Sequence, residues 1–327
     1  MKIAILGAGI IARAMATTIN GMEEATNYAV ASRSLDKAEG FAKEFGIEKA
    51  YGSYEEMLQD PQVELVYVAT PHSHHCEHVK LCLNHGKHVL CEKSFAANKG
   101  EAEEMLNLAK KKKLLLTEAI WTRYMPSRKI IDDVISSGII GEVSMLTANL
   151  GYVINNIKRL QEPSLAGGAL LDVGVYPINF ALMAFGDDIK TIESTAILTD
   201  KGVDAQNSIT FVYNDGKMAV LNSTMMAQTD RQGIISGSKG YIVCENINNC
   251  ESIKVYDLER KEIAHHIPPK QITGYEYQVR SCLKAISKGQ LECEEMPHSE
   301  TLAVMEIMDN LREAWGVVYP ADKILKH

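Results

Sequence analysis

Three side chains in this sequence have the types and spacing needed to handle a proton at a hydroxyl group. Asp172 and Tyr176 are four residues apart, so on a helix they project from one face, and Gly167 and Gly168 just ahead let such a helix start close to a ligand. A tyrosine protonates an alkoxide, or accepts a carbinol proton, when a nearby cation lowers its pKa from the usual value of about 10. Lys93, at the end of a short apolar run, is a cation of the right kind, because an ammonium there lowers a neighbouring pKa or holds a hydroxyl. The residues alone leave alternatives open. A half-buried helix tyrosine, an aspartate capping a helix and an exposed Glu92–Lys93 ion pair account for the same letters.

A second chemistry is written at residues 1–17. Residues 2–6 form an apolar run of strand length, Gly7-Ala8-Gly9-Ile10-Ile11-Ala12 follows directly, and a helix-like Arg13-Ala14-Met15-Ala16 comes next. In such a unit Gly7 permits the tight turn and Gly9 admits backbone to a pyrophosphate. Ala12 is small enough for helix and strand to pack, and the helix start presents free N–H groups at Gly9, Ile10, Ile11 and Ala12. The pattern predicts a dinucleotide site. The second strand, residues 28–31, ends in Ser32-Arg33, with Lys37 a turn later, where a site for NAD usually has an acid for the ribose hydroxyls. A hydroxyl and a guanidinium bind a 2′-phosphate that a carboxylate would repel, so NADP is the expected cofactor, with NAD as the alternative. Histidines 72, 74, 75 and 78 with Cys76 and Glu77 raise a metal reading, but no spaced partner set accompanies them, and no metal is expected.

The elements that must position these groups alternate. Residues 35–45 read as a helix closed by Gly46, 63–69 as a buried strand, 73–84 as a helix and 87–91 as a strand. Asn98 looks like the cap of a helix over 99–112, and 114–116 form the next strand. Alternation with short connections implies a doubly wound parallel sheet with its ligand outside the carboxyl ends of the strands. The second part differs: 143–149, 191–198, 208–213, 218–226, 232–236, 241–244 and 253–257 are short β-rich stretches at hairpin spacing, and 275–288 and 299–315 are helical. The fold class is therefore α/β, a Rossmann-type domain over residues 1–120 followed by an α+β domain over 121–327 with a large, mainly antiparallel open sheet.

Composition narrows the partners. A chain of 327 residues exceeds what one core usually supports, and 46% hydrophobic with 23% charged residues is ordinary for globular enzymes. A net charge of −8 argues against a nucleic-acid binder; the basic cluster at 110–113 suits a helix end. No apolar run is read as approaching the roughly 20 residues that span a bilayer, and no leader pattern precedes the first strand, so a cytoplasmic protein without membrane partners is expected. Seven cysteines without a CxxC pair suit a reducing compartment.

Taken together, Gly7 to Ala12, Ala69-Thr70-Pro71 with His75, Gly86-Lys87-His88-Val89-Leu90-Cys91-Glu92-Lys93 and Gly167 to Pro177 resemble the Gfo/Idh/MocA oxidoreductases, in the family's order and over essentially the whole chain. Glu118-Ala119-Ile120-Trp121-Thr122-Arg123-Tyr124-Met125-Pro126 narrows the resemblance to the branch of dimeric dihydrodiol and NADP-dependent D-xylose dehydrogenases. One departure is Ser94, where the family usually has proline after the lysine. The resemblance implies catalytic roles for Lys93, Tyr176 and Asp172. It adds Thr70, Pro71, His75, Glu92 and Lys93 to the cofactor site, and a homodimer formed through the open face of the second sheet. Trp121, Arg123, Tyr124, Tyr152 and Tyr277 are the candidates for the wall of a pocket that takes a small molecule, and an aromatic wall suits a sugar face or a flat ring alike. The expected activity is hydride transfer to or from the carbinol carbon of a sugar, polyol or cyclic diol. A dinucleotide-binding sensor and a redox-assisted glycosidase are the alternatives.

Overall fold

The computed structural model describes residues 1–322. The described residues form two compact units, Met1–Tyr124 with Gln271–Met305, and Met125–Lys270 with residues 306–322.

The first unit alternates strand and helix: β1 (Lys2–Leu6), α1 (Ile10–Asn20), β2 (Thr26–Ala31), α2 (Leu35–Phe45), β3 (Lys49–Tyr51), α3 (Tyr54–Gln59), β4 (Leu65–Val68), α4 (His75–Asn84), β5 (His88–Glu92), α5 (Lys99–Lys112) and β6 (Leu116–Ala119). The strands pair in the order β3-β2-β1-β4-β5-β6, each pair parallel. Helices on both faces bury these strands twice over, which is why they read as continuous apolar runs such as Leu65-Val66-Tyr67-Val68. Ser34, Ser53 and Asn98 cap α2, α3 and α5, accepting from the backbone N–H three residues on. The strand order reverses between β1 and β4, the place where an open sheet of this kind leaves a crevice.

The second unit contains α6 (Pro126–Ser136), β7 (Val143–Gly151), a π-helical turn (Leu170–Gly174) leading into α7 (Val175–Phe185), then β8 (Ile189–Leu198), β9 (Asp204–Tyr213), β10 (Met218–Thr224), β11 (Gly233–Gly237), β12 (Gly240–Glu245), β13 (Ser252–Asp257) and β14 (Glu262–His266). Its eight strands follow the order β14-β13-β12-β11-β7-β10-β9-β8, antiparallel except for β7 with β10. One face is apolar, with Leu146, Ile209, Phe211, Leu221, Ile235 and Ile242 buried. The other leaves Met145, Ile197 and Met218 exposed. Period-two alternation is what a sheet covered on one side requires.

Residues 271–305 correct the sequence-based boundary, which assigns everything after 120 to the second domain. They hold α8 (Glu276–Ser287) and the start of α9 (His298–Trp315), and they belong to the first unit. The Glu276 carboxylate accepts from the N–H groups of Ile272, Thr273 and Gly274, shaping a turn in which Thr273 Oγ1 meets Thr18 Oγ1 at 2.6 Å. Further on, the Leu116 N–H donates to Leu291 O (3.1 Å), and His298 Nε2 lies 2.7 Å from Leu116 O. Such pairings join residues too distant in sequence for periodicity to reveal. The reading of apolar runs is also corrected: within residues 163–185 an 18-residue window has mean hydropathy 1.5, apolar enough by length and composition to cross a membrane, but 83% of that window is buried inside the fold, as in the core of a globular protein.

Candidate functional site

In the first unit the turn after β1 is built by its glycines. Gly7 has φ +105°, and a Cβ there would lie 2.9 Å from the carbonyl oxygen of Ala69. A Cβ on Gly9 would meet only open space. No side chain caps α1 and no acid occupies its first turn, while Ile10 is 86% exposed and Ala12 is buried against the sheet. An uncapped helix start beside an open glycine is a cradle for a diphosphate, so the residues present fit a dinucleotide. At the end of β2, Ser32 is buried and its N–H donates to Tyr51 O (3.2 Å), whereas Arg33 and Lys37 are exposed. Tyr54 packs edge-on to His78, which stacks on His74 with centroids 5.7 Å apart. Burial pushes the His78 imidazole down to about 4, with the His74 and Arg33 charges acting in the same direction. Thr70 Oγ1 lies 3.0 Å from His78 Nδ1, tying the ladder to the loop after β4. Among the described residues, no group of three or more His, Cys, Asp or Glu side chains is gathered as a metal site requires.

The next two strand ends complete this edge. Glu92 is buried and accepts from the Tyr67 hydroxyl. Lys93 is half-buried, and the Lys93–Ser94 peptide is cis, although serine stands where the resemblance leads one to expect proline. Phe95 N–H donates to the fully buried Glu118 carboxylate (3.2 Å), which burial pushes up to about 7 against the opposing pull of Arg123. His75, expected at the cofactor, is a correction. Its ring has no exposed surface, Nδ1 lies 2.8 Å from Ser94 O and Nε2 lies 2.8 Å from Thr70 O, so it holds two loops together and its ring does not reach a ligand.

The expected aromatic wall divides. Trp121 stacks on Tyr275 with centroids 4.2 Å apart and planes 10° from parallel, and Tyr277 is half-buried. Tyr275 lacks any motif signal and escaped the sequence reading. Tyr124 is a correction as a wall residue, because its buried hydroxyl donates to Glu118 O (2.7 Å) beside Thr117 Oγ1 (2.9 Å); Arg123 is buried as well, with Nη1 paired to Glu300. Both hold the residue 117–124 segment in place.

In the second unit Asp172 lies within the π-helical turn and Tyr176 in the first turn of α7, both nearly buried. The i,i+4 spacing therefore does not sit on a regular α-helix, because the turn widens to i→i+5 bonds ahead of Tyr176. Asp172 Oδ1 pairs with Arg159 Nη2 at 3.1 Å. Tyr152, at the end of β7, accepts at its hydroxyl from Asn248 Nδ2 (3.1 Å), and the Arg231 guanidinium lies 5.8 Å from its ring centroid.

Comparison with known proteins shows the family of the two units. Residues 1–120 match the model of an oxidoreductase family with an NAD-binding Rossmann fold, and residues 129–243 match that of the GFO/IDH/MocA C-terminal domain. The chain is 37% identical over 298 residues to the trans-1,2-dihydrobenzene-1,2-diol dehydrogenase of Xenopus tropicalis, covering 89% of this chain and 90% of that one. It is 34% identical over 301 residues to the human protein of the same name, covering 90% of each. A crystal structure of a 3-ketoreductase from Actinomadura kijaniata with NADP and TDP-benzene superposes with TM-score 0.85 at 25% identity, covering 96% of this chain and 97% of that one.

The buried His75 gives a signed pH dependence. Burial pushes its imidazole down to about 4, against the pull of the Thr70 and Ser94 carbonyls. A histidine with a depressed folded pKa contributes stability that is fully present above the unfolded value of 6.5 and is lost as pH falls through 4. Denaturant melts of wild type and His75→Gln should show the stability gap shrinking by about 3 kcal/mol between pH 7 and pH 4. A gap that stays constant would mean that the imidazole titrates alike in the folded and unfolded chain, and one that widens toward pH 4 that both ring nitrogens carry protons in the folded protein.

Proposed function

We propose that this chain, which belongs to the Gfo/Idh/MocA oxidoreductase family, moves a hydride between a nicotinamide dinucleotide and the carbinol carbon of a sugar, polyol or cyclic diol. The observation that carries the reading is the edge where β1, β4 and β5 end: an uncapped helix start behind Gly7 and Gly9, with half-buried Lys93 closing β5. The diol dehydrogenases among its relatives support a substrate with adjacent hydroxyls. When bound, the nicotinamide supplies the hydride acceptor, and in its reduced form the donor. The N–H groups of residues 9–12 hold the diphosphate, and Thr70, Pro71 and Glu92 border the crevice beside it. Lys93 is the group assigned to hold the reacting oxygen, Tyr176 the group that takes or returns the hydroxyl proton, and Asp172 the group that orients the substrate. Trp121, with Tyr275 stacked behind it, offers the aromatic face. The exposed face of the second sheet, where Met218 and Met145 are register neighbours, is the surface through which the chain forms a homodimer.

Screening purified protein with NADP and NAD against aldoses, inositols and diols, following reduced nicotinamide, tests the reading. Net turnover supports it, and binding without turnover across the panel would favour a sensor. On the substrate so found, Lys93→Met and Tyr176→Phe should each lower kcat by about 10²-fold while dinucleotide affinity changes little. The double variant should be scarcely worse than either single one, because groups acting as a unit are not additive. Near-wild-type turnover in Tyr176→Phe would sink the relay. Arg33→Ala should weaken NADP by about 1.5 to 3 kcal/mol in direct titrations and leave NAD nearly unchanged, the size of a hydrogen bond to a charged group. Equal loss for both cofactors would remove Arg33 from phosphate recognition. Sedimentation of Met145→Lys with Met218→Lys should show monomer where wild type is dimeric, and an unaffected dimer would move the interface elsewhere.

A further inference from the structure

The inner face of the second sheet is apolar along β9 and β10, where Ile209, Phe211, Ala219 and Leu221 are all buried. The same alternation then places Asn207 and Ser223 on that face, as register partners, at 7% and 2% exposure. A polar pair at such positions costs free energy unless it is bonded, and simple burial would favour valine or leucine. Here the bonds run in a chain toward the π-helical turn. Ser223 Oγ donates to Asn207 Oδ1 (3.0 Å), Asn207 Nδ2 donates to Asp204 Oδ2 (2.9 Å), and the same oxygen accepts from the main-chain N–H of Leu170 (2.8 Å). Leu170 is the first residue of the turn. Gly174 is the last, and a Cβ there would lie 2.9 Å from Ser223 Oγ, so the chain of side chains reaches both ends of the turn. Gly168, with φ +115°, lets the backbone pass over the Asp204 carboxylate, where a Cβ would collide with Oδ1.

We propose that Asp204, Asn207 and Ser223 are positioning residues: a buried polar brace that fixes the widened turn carrying Asp172 and sets the start of the helix carrying Tyr176. The inference rests on the reading of Asp172 and Tyr176 as the acting groups of the second unit. A π-helical turn breaks the regular i→i+4 ladder, so its shape depends on outside partners, and the brace supplies a carboxylate at its first N–H and a hydroxyl against its last residue. Misplacing an acting group by about 1 Å is enough to cost orders of magnitude in rate.

Two measurements on the full chain test this. Hydrogen exchange followed by mass spectrometry should show residues 170–176 exchanging about tenfold faster or more in Ser223→Ala and Asp204→Ala, with β12 and β13 unchanged. On the substrate found by the screen, Asp204→Ala should lower kcat by about tenfold or more with dinucleotide affinity within about twofold of wild type, and Asp204→Asn, which keeps an acceptor for the Leu170 N–H, should restore most of the rate. Ser223→Ala, too small a change to unfold the chain, should lose rate in the same sense and carries the test if Asp204→Ala does not fold. Folded Ser223→Ala and Asp204→Ala proteins with wild-type kcat, beside Asp172→Asn and Tyr176→Phe proteins that lose it, would overturn the brace and leave the proposed function standing. Full turnover in Asp172→Asn and Tyr176→Phe would overturn that function and the brace's positioning role with it.

Discussion

A parallel sheet finishes all of its strands at one edge, and the candidate chemistry of the first unit follows from that constraint. Gly7, Ser32, Thr70, Lys93 and Glu118 lie far apart in sequence, yet each stands at or just beyond the carboxyl end of β1, β2, β4, β5 or β6. Chain that leaves the sheet there must still satisfy its main-chain polar groups, and side chains do much of that work. His75 sits between the carbonyls of Thr70 and Ser94, and Glu118 takes the Phe95 N–H. The chain around Lys93 is thus held by buried groups that bond to its backbone.

This division explains which groups are open to a ligand. At the end of β2 the buried Ser32 links to Tyr51, while Arg33 one residue later faces water; after β6, Arg123 is buried with Nη1 paired to Glu300 and the Tyr124 hydroxyl bonds to Glu118 O, while Trp121 keeps a planar partner in Tyr275. Burial of a guanidinium or phenol demands a fixed partner, and a fixed partner removes it from recognition. Charge and aromaticity alone are therefore poor guides to a pocket wall.

The fold was largely legible because period carries it. Seven of the strands in the second sheet appear in the sequence as short alternating runs, and β14 does not, because Glu262-Ile263-Ala264-His265-His266 at an open edge has no apolar face to show. Strand β6 is read two residues early at Leu114, since an apolar run does not reveal where pairing with β5 begins. The glycine turn, Ser32-Arg33 and Lys93 could be read from local pattern. The role of His75, the π-helical turn and the Trp121–Tyr275 stack could not, because each depends on a tertiary partner that no spacing encodes.

The return of residues 271–305 to the first unit bears on how this chain is made. At a translation speed of about 5–20 residues per second, the stretch of roughly 150 residues between Tyr124 and Gln271 takes on the order of ten seconds to synthesise. Throughout that interval the Leu116 amide has no Leu291 carbonyl to donate to, the Trp121 indole has no Tyr275 ring against it, and Glu24 has no Arg280. Until residues 271–305 have been made, the sheet therefore lacks the chain that covers its β6 flank, and the first unit cannot be completed from its own N-terminal 124 residues.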